Sequence, residues 1–207
     1  MTTAAAARED TFPKLIARNA RIRPDRTAFR HKDLGIWQSW TWSEVHQTVR
    51  AMAIGMHRIG LKRGDKIAII GNNRPRLYWS IAAAQWIGVV PVPVYSDSVA
   101  EEMAYVLSHA EVVLAVVEDQ EQVDKVLSIA EQVPTLTHIL YDEERGLRDY
   151  DHSSMHALTA FIDEAKAAID ADPELDALLG RELAASKGSD LAIILYTSGT
   201  TGRPKGV

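Results

Sequence analysis

Apolar residues follow two alternating patterns along this chain. Short, mostly apolar runs occur at residues 66–70, 111–118 and 137–141, and runs of this length are typical of buried strands. Between them lie segments whose apolar residues recur three and four positions apart, which is typical of helices with one buried face. The clearest such face carries Val45, Val49, Met52, Met56 and Ile59. Strands that alternate with helices of this length predict βαβ units with right-handed crossovers and a mostly parallel sheet, which is an α/β fold class.

Capping and proline signals locate further elements. The sequences TWSE, from Thr41, and SVAE, from Ser98, both fit the pattern of a capping box, so each predicts the start of a helix. Residues 89–94 are predicted to form a strand. Because Pro91 and Pro93 have no backbone N–H to donate, we expect that strand to lie near an edge of the sheet or to be irregular.

The rest of the chain divides by composition. Residues 1–11 are expected to form a disordered tail. Residues 142–189 are charged and rich in alanine, and we interpret them as a helical excursion before the chain returns to the sheet. The return is the apolar run 191–196, which predicts a buried parallel strand. Helices are also predicted at 12–21 and 120–133 and a β-hairpin at 27–30 and 37–42.

Composition adds little beyond this. The chain has 207 residues, 46% of them hydrophobic and 25% charged, with a net charge of −5, which is ordinary for a soluble globular protein. No basic block is present, so no nucleic-acid partner is expected. The absence of cysteine excludes disulfides and cysteine-based metal or nucleophile sites. His152 and His156 lack a third ligand pattern, so no metal site is predicted. With no signal-peptide pattern or apolar stretch of membrane-spanning length, a cytoplasmic location is the default expectation.

The most informative chemistry lies in residues 196–206, YTSGTTGRPKG, which we call the signature segment. A loop of glycines, hydroxyls and one lysine at the carboxyl end of a predicted strand is where open α/β sheets bind ligands. Glycines let the backbone approach an anion, while hydroxyls, N–H groups and Lys205 supply donors and positive charge. The combination suits phosphate oxygens. It is not a Walker A loop, because Pro204 stands where that pattern has glycine and Gly206 where it has Ser or Thr.

The signature segment resembles, residue for residue, the loop [YF]TSG[ST]TGxPKG of the adenylate-forming superfamily, with Arg203 at the variable position. That superfamily contains acyl-CoA synthetases, luciferases and the adenylation domains of peptide synthetases. The stretches GLKRGDKIAII, AAAQWIGVVPVPVY and SHAEVVLAVVED are similar to acyl-CoA synthetases, and YSDSVAEEMAYVLSHAE is similar to the long-chain fatty acid–CoA ligase branch. The resemblance covers about residues 12 to 141 and 187 to 207 and leaves the intervening segment unmatched.

The resemblance implies a two-step acid–thiol ligase. A carboxylate attacks the α-phosphorus of ATP and expels pyrophosphate, and the thiol of coenzyme A then displaces AMP from the acyl-adenylate. The implied participants are a long-chain fatty acid, ATP, Mg²⁺ and coenzyme A, with a medium-chain or aromatic acid left open. It assigns Lys205 the catalytic role of neutralising charge on the departing pyrophosphate. The residues it assigns to phosphate binding are Thr197, Ser198, Gly199, Thr200, Thr201, Gly202 and Lys205.

In the resembling family, further parts follow this loop, including a carboxy-terminal domain that bears the adenylation lysine. We therefore expect residues 12–207 to be an incomplete amino-terminal portion of the AMP-binding domain, with the lysine-bearing domain absent. The isolated 207 residues are expected to be inactive alone. A truncated, non-catalytic module that binds nucleotide or a partner stays open as the alternative, and the intact mass of the native protein distinguishes the two. Peripheral membrane contact also stays open.

Overall fold

The structure is a computed structural model, and it describes residues 9–197 and 204–207. The helices are α1 (Phe12–Ile22), α2 (Trp42–Arg58), α3 (Pro75–Trp86), α4 (Ala100–His109), α5 (Gln120–Ser128), α6 (Leu158–Ala171) and α7 (Pro173–Ala185). The strands are β1 (Thr27–Asp33), β2 (Ile36–Thr41), β3 (Lys66–Ile70), β4 (Val90–Val94), β5 (Val112–Val117), β6 (His138–Tyr141), β7 (Met155–Ala157), β8 (Tyr196–Thr197) and β9 (Lys205–Gly206).

A five-stranded sheet forms the centre, in the order β4-β3-β5-β6-β7, and every neighbouring pair is parallel. The predicted α/β class and parallel sheet are confirmed. The chain leaves β3 in one direction to form β4 and returns on the other side to form β5. The order of strands therefore reverses between β3 and β5, and in open α/β sheets such a reversal leaves a crevice at the carboxyl ends of the strands.

The sheet separates two hydrophobic clusters. Successive residues of β3 point to opposite faces, so Ile67 and Ile69 belong to one cluster while Ala68 and Ile70 belong to the other. Helices α2, α3, α6 and α7 cover the first face, and α4 and α5 cover the second. This is the arrangement that right-handed crossovers require, because α3 leads from β3 to β4 on one side of β3, whereas α4 leads back from β4 to β5 on the other side.

The two capping-box patterns have different outcomes. At α2 the prediction is confirmed: the Thr41 hydroxyl accepts from the Glu44 N–H at 3.2 Å, and the Glu44 carboxylate accepts from the Thr41 N–H at 2.7 Å. At α4 the predicted helix is present, but the capping box predicted from Ser98 is wrong. Val99 is the N-cap residue there, and α4 has no side-chain cap. The pattern of residue types was right, but the chain enters α4 one residue later than that pattern places it.

The predicted helical excursion is partly wrong. Residues 142–189 contain α6 and α7, as expected, but they also contain β7, which adds a fifth parallel strand beside β6. Strand β7 has only three residues, with His156 at its centre, so it shows no apolar run to detect. The predicted helix 120–133 is also shorter: α5 ends at Ser128, and a 3-10 turn, Ala130–Gln132, follows.

Strand β4 forms an edge of the five-stranded sheet, as its two prolines predicted. The Val90 N–H donates to the Asp65 carbonyl on the side of β3, so Pro91 and Pro93, at alternate positions, face outward. That outer edge presents carbonyl acceptors but no donors at the prolines. The next segment laid along it is residues 191–197.

The predicted buried parallel strand over residues 191–196 is wrong. Within this run the structure assigns strand only to Tyr196, and Leu191 and Leu195 are exposed. The Ile194 N–H donates to the Pro91 carbonyl at 3.0 Å, but the prolines of β4 have no N–H to donate to a carbonyl of this run. A one-sided edge of this kind does not support a full ladder, although the run is apolar enough to be a strand.

Candidate phosphate-binding hairpin and switch-point cleft

The described part of the signature segment forms a short antiparallel hairpin. Tyr196 pairs with Gly206 and Thr197 pairs with Lys205, so the two ends of the segment lie side by side. Leu195 and Val207 extend the ladder through two reciprocal backbone hydrogen bonds of 2.9 Å. We call this the signature hairpin (Tyr196–Thr197 with Lys205–Gly206).

The structure brings together the two ends of the predicted phosphate site. Thr197 and Lys205 are direct partners across the hairpin, and both are exposed. Within residues 9–197 and 204–207, Lys205 makes no ion pair. Five predicted residues lie outside the described residues: Ser198, Gly199, Thr200, Thr201 and Gly202. A hydroxyl and an unpaired ammonium at the base of such a loop form a donor set suited to an anion.

Two hydrogen bonds outside the ladder hold the hairpin, and Ile194 just before it, to the domain. The first is the hydrogen bond from Ile194 to the edge of β4, described above. The second joins the Tyr196 hydroxyl to Nδ1 of His109, 2.7 Å away at the end of α4. Burial raises the pKa of the Tyr196 phenol, and Tyr105 adds to the rise, so the hydroxyl keeps its proton and can donate to Nδ1.

A groove of about 580 Å³ runs beside the hairpin. Its walls come from β4, α3 and the run that precedes the hairpin, and they are mainly apolar, with Leu77, Ile193 and Leu195 among the lining side chains. Tyr78 and Tyr95 also line it, and 46% and 77% of their respective surfaces are exposed. Thr197 forms part of the same lining, so the groove opens next to the candidate phosphate site.

A second, polar cleft of about 820 Å³ lies at the carboxyl ends of β3, β5 and β6, where the strand order reverses. We call it the switch-point cleft; Arg74, Glu118 and Asp142 line it, and Asn72, which lines the groove beside the hairpin, bonds to Glu118. The buried Glu118 carboxylate accepts from the Asn72 N–H at 2.5 Å and from the Arg74 guanidinium at 2.6 Å. His31 contacts the same guanidinium at 2.8 Å, which ties the β1–β2 hairpin to the end of the sheet.

The charges in the switch-point cleft compensate one another. Burial would raise the pKa of the Glu118 carboxyl, but its hydrogen bonds from Asn72 and Arg74 outweigh burial and lower the pKa overall. Burial raises the pKa of Asp142, opposed by Arg76, whose guanidinium is 3.1 Å from the carboxylate. Glu118 is therefore paired with Arg74 and Asp142 with Arg76, whereas Lys205 has no described ionic partner.

Sequence reasoning missed both the contacts of Glu118 in the switch-point cleft and the partner of Tyr196. The signal for the cluster was present, since GNNR follows β3 and ED follows β5, and the carboxyl ends of neighbouring parallel strands meet at one edge of a sheet. The partner of Tyr196 is His109. It is the last residue of α4, but its contact with Tyr196 spans 87 positions of sequence and leaves no local signal.

Comparison with known proteins places the chain in a family. The family model described as "AMP-binding enzyme" matches residues 16–207, so this chain belongs to the AMP-binding enzyme family. The match includes the segment between residues 142 and 186, which the sequence resemblance alone left unmatched.

Curated proteins similar to this chain include long-chain-fatty-acid–CoA ligases. The ligase FadD15 of Mycobacterium bovis is 31% identical over 199 residues, which cover 95% of this chain and 30% of the relative. The ligase ACSBG1 of Bos taurus is 28% identical over 184 residues, covering 88% of this chain and 24% of the relative. The chain therefore spans about a third or less of the length of these relatives.

Solved structures agree on the fold. An anthranilate CoA ligase, AuaEII, in complex with anthranoyl-AMP, superposes with a TM-score of 0.73 at 18% identity, covering 94% of this chain and 33% of that chain. A protein described as a long-chain-fatty-acid CoA ligase from Rhodopseudomonas palustris superposes with a TM-score of 0.67 at 20% identity, covering 95% of this chain and 43% of that chain.

Neither a membrane-spanning helix nor a metal-binding cluster occurs in the described residues. No helix in that part of the chain has the length and apolar character needed to cross a membrane. Residues 9–197 and 204–207 also contain no group of three or more His, Asp or Glu side chains placed to hold a metal ion.

Proposed function

We propose that this chain supplies the pyrophosphate-binding end of an acid–CoA ligase that activates a long-chain fatty acid as its adenylate. The observation that carries the proposal is the pairing of Thr197 with Lys205 at the base of the signature segment. This pairing joins the two ends of a segment rich in hydroxyl and glycine residues, and no described carboxylate neutralises the Lys205 ammonium. The similarity to long-chain-fatty-acid–CoA ligases supports the reaction class and the acid.

The proposed role of the hairpin follows from the charge that develops in the first step. When a carboxylate attacks the α-phosphorus of ATP, negative charge accumulates on the departing pyrophosphate. Fixed donors and a nearby cation lower the barrier by stabilising that charge. Lys205 supplies the cation, and Thr197 with the loop residues 198–202 supplies hydroxyl and N–H donors to the phosphates. The second step, attack by the thiol of coenzyme A, leaves no pyrophosphate to stabilise.

The groove beside the signature hairpin favours an acid with an apolar chain. It offers mainly aliphatic and aromatic side chains next to Thr197, so hydrocarbon lying there would be removed from water close to the phosphate site. Mg²⁺ enters the proposal only as the ion that accompanies ATP, since the described residues offer it no cluster of ligands. ATP and coenzyme A enter as cosubstrates of the proposed reaction.

Thioester formation by the complete native protein tests the proposal. Purified protein is incubated with ATP, Mg²⁺, coenzyme A and one acid at a time from a series of long-chain, medium-chain and aromatic carboxylates, and acyl-CoA and AMP are measured. We expect equal amounts of acyl-CoA and AMP, with the highest kcat/KM for long-chain acids. A preference for an aromatic acid would contradict the substrate class but keep the ligase, and no AMP with any acid would contradict both.

A further inference from the structure

The Tyr196 side chain occupies a specific position at the base of the signature hairpin. Its hydroxyl lies 2.7 Å from Nδ1 of His109, and the His109 ring lies perpendicular to the phenol ring at a centroid distance of 5.7 Å. The ring also packs against the hydrophobic cluster beneath α4 and α5. His109 therefore restrains the phenol both through a hydrogen bond and through ring contact.

His109 is itself held by a regular element. It is the last residue of α4, and the Tyr105 ring, one helical turn earlier, stacks on the imidazole at 5.5 Å with an interplanar angle of 29°. Met103 and Leu107 bury the opposite side of α4 in the core. A residue at the end of a packed helix, stacked on its neighbour, is a rigid support for a partner outside the helix.

Tyr196 in turn connects the two ends of the signature segment. It pairs with Gly206 in the ladder, and its ring lies so close to Gly206 that a Cβ there would be 3.3 Å from Cζ of Tyr196 and 3.0 Å from a methyl of Ile194. The next pair along the ladder is Thr197 with Lys205. A displacement of the Tyr196 ring would therefore move the pair that carries the phosphate donors.

We propose that His109 is a positioning residue for the phosphate site, acting through the Tyr196 hydroxyl to hold the base of the signature hairpin. This proposal rests on the proposed function, because a phosphate site is what the hairpin positions. His109 does not touch the reacting atoms in this account. Its effect is to keep Thr197 and Lys205 at a fixed spacing before ATP arrives, so that less ordering is required when the phosphates bind.

The contribution of the hydroxyl can be separated from that of the ring. Phenylalanine is the other residue that the signature pattern accepts at this position, so Tyr196→Phe keeps the ring packing and removes only the hydrogen bond to His109. The loss of one such bond changes an equilibrium by about 3- to 10-fold. We expect the KM for ATP in acid-dependent ATP–pyrophosphate exchange to rise by roughly that factor in His109→Ala and in Tyr196→Phe.

A double-mutant cycle in the complete native protein tests the coupling. The variants are His109→Ala, Tyr196→Phe and the two combined, each assayed for exchange and for thioester formation from preformed acyl-adenylate. His109→Asn serves as the rescue, because its amide stands near the position of Nδ1. His57→Ala is the matched control, since His57 is an exposed histidine in the last turn of another helix, α2. Each variant is also treated with trypsin without nucleotide, and cleavage after Lys205 is followed.

The proposal predicts that the double variant is no worse than either single variant, that His109→Asn recovers most of the loss, and that thioester formation from preformed adenylate is unchanged. It also predicts faster cleavage after Lys205 in His109→Ala than in His57→Ala, because an opened hairpin is the form that trypsin cuts. Additive losses, or equal losses in both half-reactions, would overturn it. If wild type shows no exchange with any acid, the proposed function fails, and the trypsin result alone still decides whether His109 holds the hairpin.

Discussion

The switch-point cleft and the signature hairpin both lie at the sheet, but they use their polar groups in opposite ways. In the cleft, Glu118 is buried and accepts hydrogen bonds from Asn72 and Arg74, so residues of the fold itself compensate its charge. In the hairpin, Lys205 is exposed and has no described ionic partner. From this difference we expect the cleft to contribute to stability, and we propose that the free charge of the hairpin serves a ligand.

This comparison leads to a division that mutation can test. Changes in the body of the sheet should alter the free energy of unfolding and leave the intrinsic chemistry of the folded enzyme intact. Changes in the signature hairpin should alter adenylation and leave unfolding almost untouched.

The largest effect is expected for Lys205→Ala in the complete native protein. Removing the cation that stabilises the departing pyrophosphate should lower acid-dependent adenylation by about 100-fold or more, the usual scale for one preorganised charge-stabilising group. Thioester formation from preformed acyl-adenylate should fall much less, because pyrophosphate has already left. Because Lys205 is exposed, thermal unfolding should stay the same. Equal losses in the two half-reactions would count against the role given to this residue.

The next effect is expected for Glu118→Ala. It leaves Arg74 without its carboxylate and the Asn72 N–H without its acceptor, which should lower the free energy of unfolding by about 2–3 kcal/mol. Urea unfolding measures the change. Glu131→Ala, at an exposed position of the 3-10 turn, is the control and should stay within about 0.5 kcal/mol of wild type. A loss of activity without loss of stability in Glu118→Ala would place the cleft among the functional sites and break the comparison.

The third effect concerns pH. Burial lowers the pKa of His46 to about 4 from 6.5, Arg50 adds in the same direction, and the ring packs on Trp86 at 5.6 Å. In the unfolded chain His46 is protonated as pH falls below about 6.5, whereas in the folded protein it stays neutral until about pH 4. The free energy of unfolding therefore falls as pH falls from about 6.5 to about 4.

His46→Leu should flatten that dependence. Because His46 is partly exposed, solvent screening reduces its contribution. Between about pH 6.5 and pH 4 we expect wild type to lose on the order of 1 kcal/mol of unfolding free energy through His46, a loss that the variant lacks. Urea unfolding at several pH values measures it, with His57→Leu as the exposed control. An unchanged pH slope in His46→Leu would show that other groups carry the acid sensitivity.

The smallest effect is expected at the two sequences that fit the capping-box pattern, TWSE and SVAE. Thr41→Ala removes a capping box that the structure contains and should cost about 1 kcal/mol, whereas Ser98→Ala should cost almost nothing because Val99 is the N-cap of α4. Thermal unfolding of the two variants side by side measures the difference. Neither change should affect the KM for ATP of the complete protein, since both lie in the body of the fold. A larger cost for Ser98→Ala would contradict the assigned helix start.

The parts of the fold predicted from sequence are those with local causes. The run KIAII became β3, TWSE became the cap of α2, and Pro91 with Pro93 marked an edge strand. The failures had non-local causes. Strand β7 exists because β6 offers it a parallel partner, not because its three residues favour a strand. Residues 191–195 are apolar enough for a strand, but the prolines of β4 deny them a complete ladder.

The same limit applies to the candidate site. The residue types of the signature segment predict phosphate chemistry, which stays a prediction, and the structure pairs Thr197 with Lys205 at the two ends of the segment. The anchoring of Tyr196 by His109, and the compensation of Glu118 by Arg74, depend on contacts between distant parts of the chain. Such contacts follow from the topology of the sheet and not from spacing in the sequence.

The most direct test of the central claim is isotope exchange between labelled pyrophosphate and ATP, measured with the complete native protein, Mg²⁺ and a long-chain fatty acid in the absence of coenzyme A. The account predicts exchange that depends on the acid and that falls by about 100-fold in Lys205→Ala while the variant unfolds like wild type. Acid-dependent exchange that is unaffected by Lys205→Ala, or no exchange by a correctly folded wild type, would contradict it.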